Sequence, residues 1–426
     1  MDKVDRQAKV AEEQLDALVT VLDMVRGGSV HTRPELIHRT GLGRSVVAQR
    51  IAQLVESGLI TEGKAAQSTG GRPARELRFH SDVGHVLVAE LGATSIGVGI
   101  ANLAGTLLVS REEPADVTDG PEVILALVEE LFDGLINGRP AGAPPIWGIG
   151  VGVPGPVEFA TGRPTVPPIM PGWDAYPIRE RFTNRYGVPT WVDNEVNLMA
   201  LGELRAGLAR GQQDVVFIKI GSGIGAGLVS AGRLHRGAQG SAGDVGHIAI
   251  VDDPDVICRC GNIGCLEAVA GGLALGQQAT AAARSGQSDF LAGKLTGERA
   301  LTAADVAEAA THGDPYAVEL LARTGRLVGR MLATVVNFYN PSLVIIGGGV
   351  AAAGDLLLAS IRQTVYHRSL PLASRDLRIV LSSPGHQAGL HGAAFVVIDE
   401  LFHRDRLATW INAGTPTSMV ETSRAR

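Results

Sequence analysis

The sequence has 426 residues, of which 45% are hydrophobic and 19% charged, so it predicts a globular protein of two or three domains with a sizeable core. The N-terminus is charged and no apolar run is long enough to cross a bilayer, so neither a signal peptide nor a membrane span is expected and a cytoplasmic location is predicted. The net charge is −6, yet residues 26–78 contain nine Lys/Arg against four Asp/Glu. This asymmetry indicates a basic, DNA-facing module on an acidic body.

The first 80 residues have the pattern of three helices followed by a hairpin. A first helix that ends at Gly27 is predicted from apolar residues at helical spacing, Leu15, Leu18, Leu22 and Val25. A second helix is predicted over residues 34–39, with Pro34 in its first turn. A third helix follows a glycine turn, and its apolar face is formed by Val47, Ile51, Leu54 and Val55. Residues 59–79 are typical of a β-hairpin with a glycine-rich tip at 68–73.

This order is the layout of a winged helix-turn-helix domain, whose third helix lies in the major groove of DNA. Arg44, Ser45 and Gln49 lie on the polar side of that helix and are predicted to contact DNA, and Arg72 in the hairpin tip is predicted to meet phosphate or the minor groove. A helical dimerisation cap without a DNA role is the alternative. The predicted partners are a double-stranded DNA operator and further copies of the chain, as a dimer or tetramer that matches a palindrome.

From residue 82 the pattern changes to alternating strands and helices. Three strands, a helix over 121–136 and a strand over 146–153 follow the order of each lobe in the actin-like, ribonuclease H-like sugar kinase fold. A second copy is predicted to begin at residues 215–220. The predicted fold class is therefore an α/β two-lobed body preceded by an α+β winged helix-turn-helix domain. The predicted boundaries are residues 1–82 for the module, 83–402 for the body, and 403–426 for a polar, irregular tail.

All three cysteines lie within eight residues, and a histidine precedes them by eleven positions. Thiolate and imidazole are the usual ligands of a structural zinc ion, and a set of four protein ligands leaves no open position for catalysis. A structural Zn²⁺ is therefore predicted on His247, Cys258, Cys260 and Cys265. Three incidental thiols are the alternative, which the tight clustering disfavours.

The run from Gly243 to Glu267 resembles the zinc signature of the ROK family, whose members are bacterial sugar kinases and sugar-responsive repressors. The resemblance implies that His247 and Glu267 also contact a sugar. The family usually has Glu where this chain has Asp244, so that predicted sugar contact is one methylene shorter. The hairpin motif G-G-R-P-A resembles the DNA-binding module of ROK-type regulators, so the resemblance covers nearly the whole chain.

The segment V-D-N-E-V-N at 192–197 resembles the sugar-binding segment of the family, which implies that Asn194 bonds a sugar hydroxyl. Glu195 stands where the kinases have their catalytic Asp, and Glu90 likewise replaces an Asp of the first turn. A base misplaced by about 1 Å can lose on the order of 100-fold in rate, so both changes predict a site that binds sugar without phosphorylating it. A kinase that tolerates Glu is the alternative. Trp173 is interpreted as a cover of the sugar site or, equally, as a core residue.

Glycine turns that cradle phosphate in the kinases are interpreted here as relics, and ATP and Mg²⁺ are not expected as cofactors. The residues concerned are Gly92, Thr94, Gly221, Gly223, Gly225, Gly347 and Gly348. The function predicted is a sugar-responsive DNA-binding transcriptional regulator, most often a repressor in this family, of carbohydrate metabolism genes. Its effector is predicted to be a monosaccharide or a sugar phosphate. An ATP-dependent, glucokinase-like sugar kinase, alone or combined with regulation, is the alternative, and a scaffold that kept the fold is a third possibility.

Overall fold

The computed structural model describes residues 3–65, 75–295, 299–383 and 387–420. The predicted hairpin tip, including Arg72, lies outside these residues, as does the end of the predicted tail from residue 421.

The N-terminal module has the predicted three helices and hairpin: α1 (Lys3–Arg26), α2 (Arg33–Thr40), α3 (Arg44–Glu56), β1 (Ile60–Ala65) and β2 (Arg75–Phe79). Helix α2 begins where predicted because the Thr32 hydroxyl accepts a hydrogen bond from the backbone N–H of Glu35. The prediction for Val55 is wrong, since this side chain is 40% exposed. The buried residues of α3 are Val47, Arg50, Ile51 and Leu54, so three of the four predicted residues are confirmed and Arg50 is buried in place of Val55.

The first lobe of the body is built on a five-stranded sheet in the order β5-β4-β3-β6-β9. Strands β3, β4 and β5 run antiparallel, and β6 and β9 extend the sheet in parallel beside β3. Its elements in chain order are β3 (His85–Leu91), β4 (Ser95–Asn102), β5 (Leu107–Pro114), α4 (Pro121–Asn137), β6 (Ile146–Val153), β7 (Val157–Glu158), β8 (Arg163–Pro164), α5 (Ile178–Tyr186), β9 (Thr190–Asn194) and α6 (Glu195–Ala206).

The second lobe repeats this arrangement with a sheet in the order β12-β11-β10-β13-β14. The predicted duplication is confirmed, because three antiparallel strands again precede strands that pair in parallel. Its elements are β10 (Val215–Ile220), β11 (Ile224–Ser230), β12 (Arg233–His235), α7 (Leu266–Ala270), α8 (Gly272–Arg284), α9 (Asp289–Lys294), α10 (Ala303–Thr311), α11 (Pro315–Tyr339), β13 (Leu343–Gly347), α12 (Asp355–Arg368), α13 (Pro371–Ser374) and β14 (Arg378–Leu381).

The chain then forms α14 (Ala388–Leu401), as predicted, and a further helix α15 (Arg404–Trp410) that was not. The prediction of an irregular tail from residue 403 is wrong for this segment. Leu407, Trp410 and Ile411 recur at helical spacing and are all buried. The Trp410 ring packs edge-on against Trp147 with ring centroids 5.4 Å apart, and its indole N–H donates to the carbonyl of Leu401 at 2.9 Å. The segment is therefore part of the core.

Helix α15 and the end of α14 connect the N-terminal module to the body. The Arg26 guanidinium of α1 lies over the Phe402 ring at 5.1 Å, and Phe79 of β2 packs edge-on against the same ring. The amide of Gln53 in α3 donates to the Asn412 side chain at 3.2 Å. One continuous hydrophobic cluster includes the buried faces of α1 and α3, helix α14 and Trp410. The module is thus packed on the body rather than only tethered to it.

Within the described ranges, no helix combines the length and the apolar character that crossing a membrane would require.

Candidate functional site

A cavity of about 1130 Å³ is lined by residues from both lobes of the body. The structure brings all five predicted sugar contacts to this cavity: Asn194, Glu195, Asp244, His247 and Glu267. It also brings there the glycine-turn residues interpreted as phosphate relics, namely Gly92, Thr94, Gly221, Gly223, Gly225, Gly347 and Gly348. These residues are spread over more than 250 positions of the sequence, from Gly92 to Gly348, and the two-lobed fold brings them together.

Asn194 lies at the junction of β9 and α6, where it caps the helix. Its side-chain oxygen accepts hydrogen bonds from the backbone N–H groups of Val196 at 2.7 Å and Asn197 at 3.4 Å. Its amide group donates to the carbonyl of Gly155 at 2.6 Å. The side chain therefore holds the loop Pro154–Pro156 against the start of α6, and both of its polar atoms already have protein partners.

The preceding residue, Asp193, is buried and fixed by two partners that the sequence did not reveal. Its carboxylate accepts from the Asn197 amide at 3.0 Å and from the Arg236 guanidinium at 2.7 Å. Arg236 in turn lies over the Phe159 ring at 3.9 Å. This charge-assisted pair holds the start of α6, and with it Glu195, at the edge of the cavity.

Glu195 forms an ion pair with Lys219, whose Nζ lies 2.6 Å from the carboxylate Oε2. Both side chains are largely shielded from solvent, with 8% of Glu195 and 17% of Lys219 exposed. Lys219 belongs to β10, and sequence reasoning missed it. A detectable signal was present, because a single lysine interrupts the otherwise apolar strand V-V-F-I-K-I, and a lysine in a buried strand needs a partner.

Glu90, at the end of β3, lies against the first turn of α14. A Cβ placed on Gly389 would collide with the Glu90 carboxyl group, so this carboxyl group lies directly against the backbone of the turn. Burial raises the pKa of the Glu90 carboxyl to about 7, while Lys219 acts to lower this pKa and Glu195 to raise it. The three charged groups therefore interact within one part of the cavity.

The raised pKa of Glu90 predicts a pH-dependent stability. In the unfolded chain this carboxyl titrates near 4.5, so the folded state binds more protons between pH 4.5 and about 7 and loses stability as the pH rises through that window. Glu90→Gln should remove this loss. The unfolding free energy of the variant, relative to that of the wild type, should increase by about 1–3 kcal/mol from pH 5 to pH 8, as measured by denaturant unfolding. Glu113→Gln, at an exposed site on β5, is the control, and equal pH dependence of wild type and Glu90→Gln would contradict the assignment.

The predicted metal ligands form one cluster. One ligand atom from each of His247, Cys258, Cys260 and Cys265 lies within 4.8 Å of every other. The Cys260 and Cys265 sulfurs are 3.8 Å apart, and the Cys258 sulfur is 3.5 Å from Nδ1 of His247. Metal–ligand bonds of about 2.3 Å to sulfur and 2.0–2.1 Å to nitrogen give tetrahedral edges of about this length. The donor set and its spacing thus fit a four-coordinate metal ion.

The metal cluster and the cavity share His247. Its Nδ1 faces the cysteines, whereas its Nε2 lies 3.8 Å from the Asp244 carboxylate, and both residues line the cavity. Glu267 follows Cys265 closely and accepts a hydrogen bond from the backbone N–H of Ile224 at 2.9 Å. Folding of the cysteine loop therefore positions three cavity residues.

The candidate DNA contacts lie on α3 as predicted, and the side chains of Arg44, Ser45 and Gln49 are all exposed. Arg50 of the same helix is instead buried and donates to the Gln53 side chain at 2.9 Å. Trp173 is a core residue: it is fully buried, its indole donates to the carbonyl of Val117 at 3.1 Å, and it does not line the described cavity.

Comparisons with known proteins match this arrangement. The family described as the ROK family matches residues 86–400. The xylose repressor of Caldicellulosiruptor bescii is 29% identical over 390 residues, which cover 91% of this chain and 96% of that protein. A glucokinase of Halalkalibacterium halodurans is 31% identical over 308 residues, 72% of this chain and 93% of that enzyme. The crystal structure of a ROK family transcriptional regulator, a homolog of the E. coli MLC protein, matches with a TM-score of 0.77, 28% identity and coverage of 93% of this chain and 98% of that one.

Proposed function

Because this chain belongs to the ROK family, and because its similarity to repressors extends through the N-terminal module, we propose that it is a sugar-responsive transcriptional repressor. The observation that carries the proposal is one continuous core that joins a winged helix-turn-helix module to a sugar-kinase-like body, whose two lobes enclose a cavity lined by the predicted sugar contacts. The proposal divides the chain into the module at residues 1–82 and the body at residues 83–402.

The module is proposed to bind operator DNA through the N-terminal part of α3. Arg44, Ser45 and Gln49 are exposed there and have the donor groups that read base edges in the major groove. Arg72 in the hairpin tip is proposed to meet phosphate or the minor groove. Two modules of a dimer, or of a tetramer, would place two such helices on the half-sites of a palindrome.

The cavity is proposed to bind the effector, with Asn194, Glu195, Asp244, His247 and Glu267 as hydrogen-bonding groups for sugar hydroxyls. Carboxylates accept hydrogen bonds from vicinal hydroxyls, and leaving such buried groups unpaired costs about 1–3 kcal/mol each. Xylose is the first sugar to test, because a relative that spans nearly the whole chain is a xylose repressor. The cysteine cluster is proposed to hold a structural Zn²⁺, which keeps His247 and Glu267 in place.

The chain is proposed not to catalyse phosphoryl transfer, since Glu replaces Asp at positions 90 and 195. The ion pair between Glu195 and Lys219 adds a second reason, because a carboxylate held by an ammonium group is a poor base toward a sugar hydroxyl. Catalytic sugar phosphorylation is the alternative function, favoured by the similarity of the body to a glucokinase.

The decisive prediction concerns Glu195→Ala. Operator binding is measured by fluorescence anisotropy, on DNA selected by the full-length protein from a random duplex pool, with and without xylose and other monosaccharides. The wild type should change its operator affinity at least about fivefold on sugar binding, and Glu195→Ala should lose this change, because a lost hydrogen-bond partner weakens sugar binding by about 1–3 kcal/mol. Sugar-free operator binding should be unchanged.

Glu308→Ala is the matched control, because Glu308 pairs with Lys294 at the same 2.6 Å distance but is not among the residues that line the described cavity. It should retain the sugar response. Deletion of residues 1–82 should abolish operator binding. Turnover of ATP with any effective sugar would establish the kinase alternative, and an operator affinity that no sugar changes would remove the effector half of the proposal.

A further inference from the structure

The cavity contains a lysine with no part in the predicted sugar or phosphate contacts. Lys219 lies in β10, two residues before the glycine turn that begins at Gly221, and its ammonium group pairs with Glu195 at 2.6 Å. In the phosphoryl-transfer sites of kinases, divalent cations are held by side-chain oxygens, often of carboxylates, and bridge the phosphate oxygens. We infer that Lys219 is a built-in counter-cation of this cavity, which takes the place of a divalent metal ion between Glu195 and Glu90 and excludes Mg²⁺.

The two carboxylates converge because of the sheet register. Glu90 of β3 pairs with Gly152 of β6, and Gly152 pairs in turn with Asp193 of β9. A Cβ placed on Gly152 would stand 3.4 Å from the Cα of Glu195. The backbone of Glu195 therefore lies directly over the strand position next to Glu90, so the ammonium group that pairs with Glu195 lies in the part of the cavity that Glu90 also lines.

The described lining of the cavity has more acidic than basic side chains, so the charge of Lys219 affects whether a cation binds there. Five carboxylates are among its described lining residues, Glu90, Glu112, Glu195, Asp244 and Glu267, and Lys219 and Arg111 are the lining lysine and arginine. Arg111 is exposed on β5, whereas Lys219 is 17% exposed and already holds Glu195. Without Lys219, this acidic cavity would attract a divalent cation. With Lys219 present, the Glu195 carboxylate is already paired, and a positive charge lies where the divalent cation would bind.

This role of Lys219 rests on the proposed function, because it concerns the same cavity and gives a reason why the chain would not catalyse phosphoryl transfer. It predicts that Lys219→Met gains a divalent-cation site. Free Mn²⁺ is measured by electron paramagnetic resonance during titration of the full-length, zinc-loaded protein, without sugar, nucleotide or DNA. Lys219→Met should bind one Mn²⁺ per chain at least about tenfold more tightly than the wild type, because removal of a unit positive charge a few ångströms away has at least that effect.

Lys294→Met is the matched control, since it removes a lysine from the ion pair with Glu308, neither of which is among the lining residues of the described cavity, and should leave Mn²⁺ affinity at the wild-type level. Lys219→Arg keeps the charge and should also bind as the wild type does. Glu195→Gln introduced into Lys219→Met should abolish the gain, which a merely structural role of Lys219 would not predict. Thermal unfolding establishes that each variant is folded, and Lys219→Gln provides the same test if Lys219→Met does not fold.

A wild type that binds Mn²⁺ as tightly as Lys219→Met, or a Lys219→Met protein that gains no affinity, would overturn the inference. Because neither DNA nor sugar is present, this outcome is independent of the sugar response. A failed repressor proposal with an intact Mn²⁺ gain would leave the role of Lys219 standing.

Discussion

Cys260→Ser is expected to lose the bound metal and, with it, the response of operator binding to sugar. The four candidate ligand atoms lie within 4.8 Å of one another, and structural zinc sites contribute about 10–16 kcal/mol of apparent binding free energy, much of which a missing thiolate removes. The same loop holds His247 in the cavity lining. It ends at Cys265, two residues before Glu267, which also lines the cavity. Zinc content is measured by mass spectrometry, and order in residues 245–267 by hydrogen exchange.

Arg259→Ser is the matched control, because Arg259 lies between two of the cysteines, is exposed and receives the same new side chain. It should keep one zinc per chain and the full sugar response. Cys260→Ser should still bind operator without sugar, since the module and its contacts with α15 are remote from the loop. Purified wild-type protein without zinc, or a Cys260→Ser variant with a normal sugar response, would contradict the proposed link between metal and effector.

Much of the fold was predictable because the sequence repeats simple local signals. Strands read as apolar runs, helices as spaced apolar residues, and the turns between them carry glycine, so the duplication into two lobes and four of the five strands of the first sheet were predicted, whereas β9, α6, α8 and β14 were not. The metal cluster was predictable for a similar reason, since its three cysteines are close in sequence. What local signals do not contain is which strand neighbours which in the sheet, or which side chain on another element a buried lysine meets. The pairing of Lys219 with Glu195 therefore emerged only from the three-dimensional structure.

The segment from residue 403 was mispredicted for a different reason. Its residues Leu407, Trp410 and Ile411 have helical spacing, but a helix of 7 residues, about two turns, is too short to be stable by itself. Its order comes from contacts with α1 and α3, which are separated from it by hundreds of residues, and with the neighbouring helix α14. Polar composition alone predicted an irregular segment, whereas the burial of Trp410 makes it part of the join between module and body.

Trp410→Ala tests whether this join is needed for DNA binding. The substitution removes a fully buried ring from between Trp147 and Phe402 and should lower the free energy of unfolding by about 3–5 kcal/mol. Because Phe402 also holds Arg26 and Phe79 of the module, the loss should loosen the module on the body. Denaturant unfolding by fluorescence gives the stability, and anisotropy gives the operator affinity under conditions where the variant is folded. Operator affinity should fall at least about tenfold, since ordering two loose modules on one palindrome costs free energy that a fixed arrangement does not.

Trp173→Ala distinguishes this coupling from general destabilisation. Trp173 is also fully buried and also donates its indole N–H to a backbone carbonyl, that of Val117, but it lies in the core of the first lobe, away from the module. Its loss should cost a similar unfolding free energy and leave the operator affinity of the folded protein within about twofold of the wild type. Equal losses of operator affinity in both variants would mean that stability alone sets DNA binding. An unchanged operator affinity in Trp410→Ala would mean that the module binds operator without its contacts to α15. A loss confined to Trp410→Ala is the expected result, because of the two rings only that of Trp410 packs against Phe402, which in turn contacts Arg26 and Phe79 of the module.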